Sequence, residues 1–173
     1  YTAMTIASGV ALNATPGHTT VIRSNNNPDD DEDIYLELNG KSLGNLTIDL
    51  GGHEVYMNTD LNVLGNLTLT DGTFETSGNT LYLGSSSSNA TISGGSASSY
   101  IVAYDNSGTI GKVVHYVNSN DTYNFPIGDA NNYTPITLTL NSGTLSSANL
   151  TVYTMGRKVD GLSDDIQTNI NRS

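Results

Sequence analysis

The segment LGNLTIDL at residues 43–50 returns as LGNLTLT at residues 64–70, which is 21 residues further along the chain. In both copies Leu or Ile alternates with polar residues, the pattern of a strand with one buried face. A Gly-containing turn and further short apolar runs follow each copy, and a degenerate third copy starts at Leu83 and ends near Ile92. Units of about 20 residues with three short strands predict the stacked coils of a parallel β-solenoid. The alternative is an antiparallel meander in which LGNLT only marks strand starts.

The composition and the periodicity of the sequence change after these repeats. Residues 85–99 are rich in Ser and Gly, which predicts a boundary. Beyond it, turn residues separate five further apolar segments, which predict an antiparallel β-sandwich; these segments are residues 100–104, 112–117, 123–125, 135–140 and 150–153. The predicted fold class is therefore all-β, with a short parallel β-solenoid-like repeat region followed by an antiparallel β-sandwich-like region. The predicted parts are an N-terminal segment with an acidic loop (1–41), the repeats (42–95) and the sandwich-like region (96–173).

Composition excludes several classes of function. Six Lys and Arg against 17 Asp and Glu give a net charge of −11, so the chain lacks the basic surface that binds nucleic acids. The apolar runs span only a few residues, which excludes a transmembrane helix. The absence of Cys excludes disulfides and thiolate metal sites. Thr, Asn, Ser and Gly make up nearly half of the residues, a composition that favours short strands joined by tight turns.

Three segments of the second half resemble a known module: SGGSASSYI at residues 93–101, YNFPIGD at 123–129 and YTPITLTL at 133–140. With GTFETSGNTLYLG at 72–84 before them, they resemble a repeat module of large secreted Bacteroidota cell-surface, adhesin-like proteins. The resemblance implies a solenoid-like region followed by a β-sandwich, in a bacterial protein that is extracellular or attached to the cell surface. That family continues through an INRYW-like strand where this chain has INRS. The resemblance thus implies that the last strand lies beyond this chain or is supplied by another molecule.

The N-terminal segment provides a candidate for such a supplied strand. Met4, Ile6, Val10 and Leu12 share one parity, and small or polar residues occupy the other, which predicts a half-buried strand. This strand could complete the sheet of a neighbouring molecule by strand addition. Alternatively, it caps the solenoid of its own chain.

The most concentrated negative charge lies at residues 29–33, DDDED. Asp29, Asp31 and Asp33 are spaced as in loops that surround Ca²⁺ with oxygen ligands, and Ca²⁺ is the one cofactor that the sequence suggests. Ile34 and Gly40 occupy the places where an EF-hand needs Gly and Glu, so that motif is absent. A solvated acidic loop without bound metal is the alternative.

Catalytic motifs are missing from the sequence. His18, His53 and His115 are isolated, and no HExxH, GxSxG or GxGxxG string occurs. His115 lies among Val and Tyr residues, which indicates a strand histidine rather than a general base. Solenoids that cleave polysaccharides usually need more coils and a cleft of convergent charges. The sequence therefore predicts that the protein is not an enzyme.

Glycan attachment is a further candidate role for the Asn-rich surface. The sequence Asn-x-Ser/Thr occurs at eight positions. They are Asn13, Asn45, Asn66, Asn89, Asn120, Asn132, Asn149 and Asn171. Because Asn, Ser and Thr are so common in this chain, eight such sites are only a mild excess over chance.

Together these observations predict a non-enzymatic structural subunit of an extracellular surface fibre, filament or stalk. It would self-associate into a homopolymer through β-strand contacts, for which donation of the N-terminal strand is one candidate and capping of its own chain the alternative. The alternative is an adhesin or carbohydrate-binding module of a secreted surface protein, whose Tyr, amide and hydroxyl side chains would contact glycans.

Overall fold

The computed structural model describes residues 2–5, 14–23, 33–141 and 147–155. Within these ranges every helix or strand element is a strand, which confirms the all-β prediction. In chain order the strands are β1 (Thr2–Thr5), β2 (Thr19–Arg23), β3 (Ile34–Glu37), β4 (Ser42–Leu43), β5 (Asn45–Met57), β6 (Leu61–Val63), β7 (Asn66–Glu75), β8 (Thr80–Leu83), β9 (Thr91–Gly94), β10 (Ile101–Tyr104), β11 (Lys112–Val117), β12 (Thr122–Phe125), β13 (Ile127–Asp129), β14 (Ile136–Thr139) and β15 (Ala148–Val152).

Most strands lie in three rows of parallel neighbours. Row one contains β2, the first halves of β5 and β7, and β9. Row two contains β1, β3, the second halves of β5 and β7, β10 and β13. Row three contains β4, β6, β8 and β11. From β2 to β11 the chain runs through rows one, two and three in that order and then repeats this course. We call each run through the three rows a passage, and successive passages stack on one another.

Glycine allows β5 and β7 to bend from row one into row two. Gly51 and Gly52 in β5 have φ angles of 63° and 95°, and Gly72 in β7 has a φ of 81°. Glycine adopts such left-handed conformations without the steric cost that other residues meet. A Cβ atom at Gly72 would also collide with the backbone oxygen of His53 in the neighbouring strand. The bend in β7 therefore requires glycine for its conformation and for its space.

The core is built from columns of inward-facing side chains. In row one Leu46 pairs with Leu67, and Leu67 pairs with Ile92. In row two Val55 pairs with Phe74. Leu46, Leu67, Val55 and Phe74 are completely buried, so each passage covers the apolar face of the next. Removal of this apolar surface from water is the main force that holds the passages together.

The region after residue 96 differs from the predicted antiparallel arrangement. Strand β10 pairs in parallel with β7, and β11 pairs in parallel with β8, so rows two and three continue across the predicted boundary. Antiparallel pairing joins β11 to β15 and β12 to β14. Ile101, Val102 and Ala103 of β10 are all buried, as is typical of a parallel strand covered on both faces. The Ser-rich segment before β10 forms two tight turns, each closed by a bridge, Ser85 to Ser88 and Ser96 to Ser99.

Candidate functional site

Hydrogen bonding in row one ends at β9. In the part of the chain that the structure describes, β9 pairs with β7 alone, whereas β12, which faces β9 across a gap, pairs with β14. Two cavities of about 230 Å³ and 330 Å³ lie in this gap. Ile92 of β9 and Asn124 of β12 contribute to the walls of both cavities. This β9–β12 cleft is the candidate functional site.

His115 lines the smaller cavity from the core side. Its register places it in an inward-facing column of row three, between Leu83 and Leu150, and only 4% of its surface is exposed. The rings of Tyr123 and Phe125 contact the imidazole edge-to-face, with centroids 5.3 and 5.9 Å from its own. The aromatic contacts fix the orientation of the imidazole at the base of the cleft.

The two ring nitrogens of His115 have different environments. Nε2 lies 2.9 Å from the carbonyl oxygen of Ala90, whereas Nδ1 is buried without a hydrogen-bond partner among the described residues. Burial lowers the pKa of His115, although the hydrogen bond to Ala90 acts in the opposite direction. The neutral ring therefore donates from Nε2–H to Ala90, which leaves Nδ1 as a buried acceptor.

Polar side chains surround the mouth of the smaller cavity. Asn89, Thr91, Asn118 and Asn124 are exposed there. The hydroxyl of Tyr123 donates to the backbone oxygen of Ser119 at 2.8 Å, which holds the Tyr123 ring against the cavity wall. The cleft thus combines an apolar wall with a rim of amides and hydroxyls, an arrangement suited to a neutral ligand with both polar and apolar surface.

Charged groups are scarce in the cleft. Among the described residues that line the two cavities, Asp121 is the single carboxylate, and neither Lys nor Arg is present. Hydrolysis of a glycoside generally uses two carboxyl groups that flank the scissile bond. The described walls of the cleft hold one such group, Asp121, and the hydrogen-bonding groups open to a ligand are the amides and hydroxyls of the rim.

A second polar surface lies on the outer face of row two. The rings of Tyr35 and Tyr56 stack with centroids 5.1 Å apart, and the Tyr56 hydroxyl donates to the carboxylate of Glu54. Burial is the largest cause of the raised pKa of Tyr56, and Glu54 adds to it. The pKa of Glu75 is also raised, by burial and by repulsion from nearby carboxylates that include Asp33. The charged groups that raise these two pKa values are all carboxylates, so this face of row two concentrates negative charge.

The calcium prediction falls largely outside the described residues. Asp29 and Asp31 lie outside them, and Asp33 is half-buried directly before β3. Within the described ranges, no group of three or more His, Cys, Asp or Glu side chains is arranged to hold a metal ion. The Ca²⁺ site therefore stays a prediction.

The N-terminal strand is described in part. Residues Thr2–Thr5 form β1, which pairs in parallel with β3 of the same chain. Met4 packs against the core of its own chain. Ile6, Val10 and Leu12 lie outside the described residues. The observed part of the strand corresponds to the capping alternative, and donation to a neighbour stays a prediction.

The candidate glycosylation sites differ in the hydrogen bonds that their side-chain amide nitrogens donate. Asn45 Nδ2 donates to Thr19 Oγ1, Asn66 Nδ2 donates to Thr68 Oγ1, and Asn132 Nδ2 donates to Asp129. Attachment of a glycan at these nitrogens would disturb these bonds. Asn89, Asn120 and Asn149 are exposed, whereas Asn13 and Asn171 lie outside the described residues. Glycosylation at any of these positions stays a prediction.

His115 lies in strand β11, as its neighbours in the sequence predicted, but the sequence did not predict the cleft beside it. His18 precedes β2 and His53 lies in the bend of β5, and neither lines the β9–β12 cleft. The missed signal was the low apolar content of β9 and β12. Their sequences, TISG and TYNF, carry too few aliphatic side chains to fill the space between two passages.

No protein family, curated protein or solved structure matches this chain. In the residues that the structure describes, no helix has the length and hydrophobicity needed to cross a membrane.

Proposed function

We propose that the protein is a non-enzymatic structural subunit of an extracellular surface fibre, filament or stalk. In this proposal the three rows form a short parallel β-solenoid, and the antiparallel pairs β11–β15 and β12–β14 form a sandwich-like end. The observation that supports it is the stacking itself. Passages that stack through parallel strands give a stiff rod, and each end of such a rod presents strand edges to a further copy.

The two ends of the stack present different apolar residues. At the first end β2 pairs with β5 alone among the described strands, and its Val21 is 48% exposed. At the other end Ile136 and Leu138 of β14 are 41% and 37% exposed, and Tyr153 and Met155 after β15 are also exposed. Contact between unlike ends is heterologous, and it generates an open filament when the rotation does not close. We therefore propose head-to-tail self-association.

The surface location rests on the resemblance to secreted Bacteroidota surface proteins. A net charge of −11 is compatible with an extracellular polymer, since it suppresses non-specific association. Asn149 is exposed and lies outside the cleft, so it would carry a glycan on the outside of such a fibre.

Electron microscopy of the full chain tests the structural proposal. Unmodified protein is expected to form regular filaments. Val21→Lys places a charge on the open edge strand and is expected to leave monomers. Thr70→Lys is the matched control, because Thr70 is exposed on β7, a strand that has a paired neighbour on each side in row one. The proposal fails if the unmodified chain stays monomeric, or if both variants assemble equally well.

Deletion of residues 1–12 tests strand donation separately. If the N-terminal strand joins neighbouring subunits, the deletion is expected to abolish filaments while the monomer stays folded. Unchanged assembly would show that this segment belongs to its own chain, as the pairing of β1 with β3 suggests.

The second candidate function is that of an adhesin or carbohydrate-binding module. The β9–β12 cleft favours it, because Tyr123 and a rim of Asn and Thr side chains offer both apolar and hydrogen-bonding contacts. This function is compatible with the first, since a fibre subunit can also carry a binding site along its side.

A further inference from the structure

We propose that the β9–β12 cleft binds a neutral oligosaccharide, with one sugar ring seated beside His115. The inference rests on the second candidate function and gives it a site and a ligand class. Two properties of the cleft carry it: apolar and aromatic walls with a rim of amides around a space that suits small rings, and a near absence of charge.

The ring of His115 forms the base of the smaller cavity, and its Nε2–H donates to the carbonyl oxygen of Ala90. Nδ1 of this ring has almost no accessible surface, so a ligand in the cavity would pack against the ring and form its hydrogen bonds at the rim.

The walls of the cavity match the two kinds of surface on a pyranose ring. Ile92, Val117 and the Tyr123 ring form the apolar part, against which the C–H face of a sugar would pack. Asn89 and Asn124 at the rim offer amide donors and acceptors to the ring hydroxyls. A volume of about 230 Å³ lies below the roughly 300 Å³ at which pockets for drug-sized ligands begin. One sugar ring suits this space better than a larger ligand.

The second cavity extends the first along β9. It measures about 330 Å³ and shares Ile92 and Asn124 with the smaller one. Tyr133, Phe125 and Pro135 supply further aromatic and apolar wall. A chain of sugar rings that entered beside His115 would continue into this second cavity, so the ligand is an oligosaccharide rather than a free monosaccharide.

The charge of the cleft disfavours anionic ligands. Among the described residues Asp121 is the single charged side chain in the walls, and the whole chain carries a net charge of −11. Without a cation to pair with it, a uronic acid or sulfated sugar would be repelled. Uncharged hexoses and pentoses meet no such penalty.

Titration of the full chain with defined tetrasaccharides tests the proposal. The probes are cellotetraose, mannotetraose and xylotetraose as neutral ligands, and tetragalacturonate as the anionic comparison. Binding is followed by calorimetry and by the amide resonances of Thr91, His115 and Asn124. At least one neutral probe is expected to bind and shift these resonances, and tetragalacturonate is expected to bind at least about tenfold more weakly.

Two variants locate the site. Asn124→Ala removes an exposed rim side chain shared by both cavities and is expected to weaken binding about tenfold without unfolding the protein. Tyr123→Leu removes the aromatic wall of the smaller cavity and is expected to weaken binding further, with its fold verified by circular dichroism. Asn149→Ala, on β15 and outside both cavities, is the matched control and is expected to bind normally.

The outcomes separate the site from the broader function. If a probe binds but Asn124→Ala and Tyr123→Leu both bind it as the parent does, carbohydrate binding stands and this cleft is the wrong place. If none of the neutral probes binds, the assignment of a neutral oligosaccharide to this cleft is wrong, whereas the fibre proposal is tested separately by electron microscopy. Tighter binding of tetragalacturonate would overturn the assignment to neutral ligands.

Discussion

The imidazole of His115 occupies a position where the adjoining strands carry leucine. Leu83 on one side and Leu150 on the other continue the apolar column, and a third leucine at position 115 would fit the pattern. The histidine instead leaves one nitrogen without a partner in the interior, which lowers the stability of the folded chain. Its other nitrogen donates to Ala90 and so connects β11 to the residue that precedes β9 in row one.

Burial of His115 makes the stability of the protein depend on pH. The pKa of His115 lies below its ordinary value of 6.5 in the folded chain, so below about pH 6.5 the unfolded chain takes up the proton first. The contribution of the neutral His115 to the free energy of unfolding is therefore fully present above that pH. It falls as the pH decreases toward the lowered pKa. The slope for one such group is at most about 1.4 kcal/mol per pH unit.

Urea unfolding of the parent and of His115→Leu, measured from about pH 7.5 to about pH 5.5, checks this expectation. The loss of stability toward acid is expected in the parent and not in the variant. Comparison of the two curves is necessary because the raised pKa of Glu75 acts in the opposite direction in both proteins. His53→Leu, at the bend of β5, controls for the loss of a histidine elsewhere. Parallel curves for parent and His115→Leu would contradict the assignment.

The strands of row one are connected at their first residues by a ladder of asparagine side chains. Asn45 Oδ1 accepts from the backbone N–H of Asn66 at 2.7 Å, and Asn45 Nδ2 donates to Thr19 Oγ1 at 3.2 Å. Asn66 Oδ1 accepts in turn from Thr91 Oγ1 at 2.7 Å. A Cβ atom at Gly65 would collide with Asn45 Oδ1. The repeated Gly-Asn pair thus leaves room for the ladder and forms it.

Replacement of Asn45 by Ala is expected to destabilise the protein by about 1–3 kcal/mol. The change leaves the Asn66 N–H at a strand corner without its acceptor. Asn149→Ala, on the exposed side of β15, is the control and should change the unfolding free energy by less than about 0.5 kcal/mol. Chemical denaturation at neutral pH measures both. Equal effects of the two substitutions would show that the ladder does not contribute to stability.

The sequence was informative where alternation and repetition coincide. Leu46, Ile48 and Leu50 point inward as the LGNLT pattern predicted, since a period of two has only one arrangement that buries all three. It was less informative at β10, where IVAY is apolar without alternation and so does not distinguish parallel from antiparallel pairing. The β9–β12 cleft depends on which strand β12 chooses as its partner. The pairing of β12 with β14 depends on contacts between residues that are distant in sequence, and local sequence patterns do not predict such contacts.

At the scale of the whole molecule, net charge and exposed apolar residues have opposite effects on the association of two copies. The proposed filament brings the β2 end of one copy against the β14 and β15 end of the next, and the exposed apolar residues at both ends favour that contact. Each copy carries a net charge of −11, so the same approach is opposed by electrostatic repulsion. Assembly should therefore be controlled by the ionic strength.

Filament formation is expected to increase with salt concentration, because counterions screen the repulsion between copies while apolar contact is little affected. Light scattering across a NaCl series, with electron microscopy of the end points, measures the effect. Val21→Lys is expected to remain unassembled at every salt concentration, since it alters the edge contact itself. MgCl₂ and CaCl₂ at equal ionic strength separate screening from specific binding: equal assembly in both indicates screening alone, and an excess with CaCl₂ would support the calcium prediction at residues 29–33. Assembly that weakens as salt is added would contradict an apolar, charge-opposed interface and would point to ion pairs between copies instead.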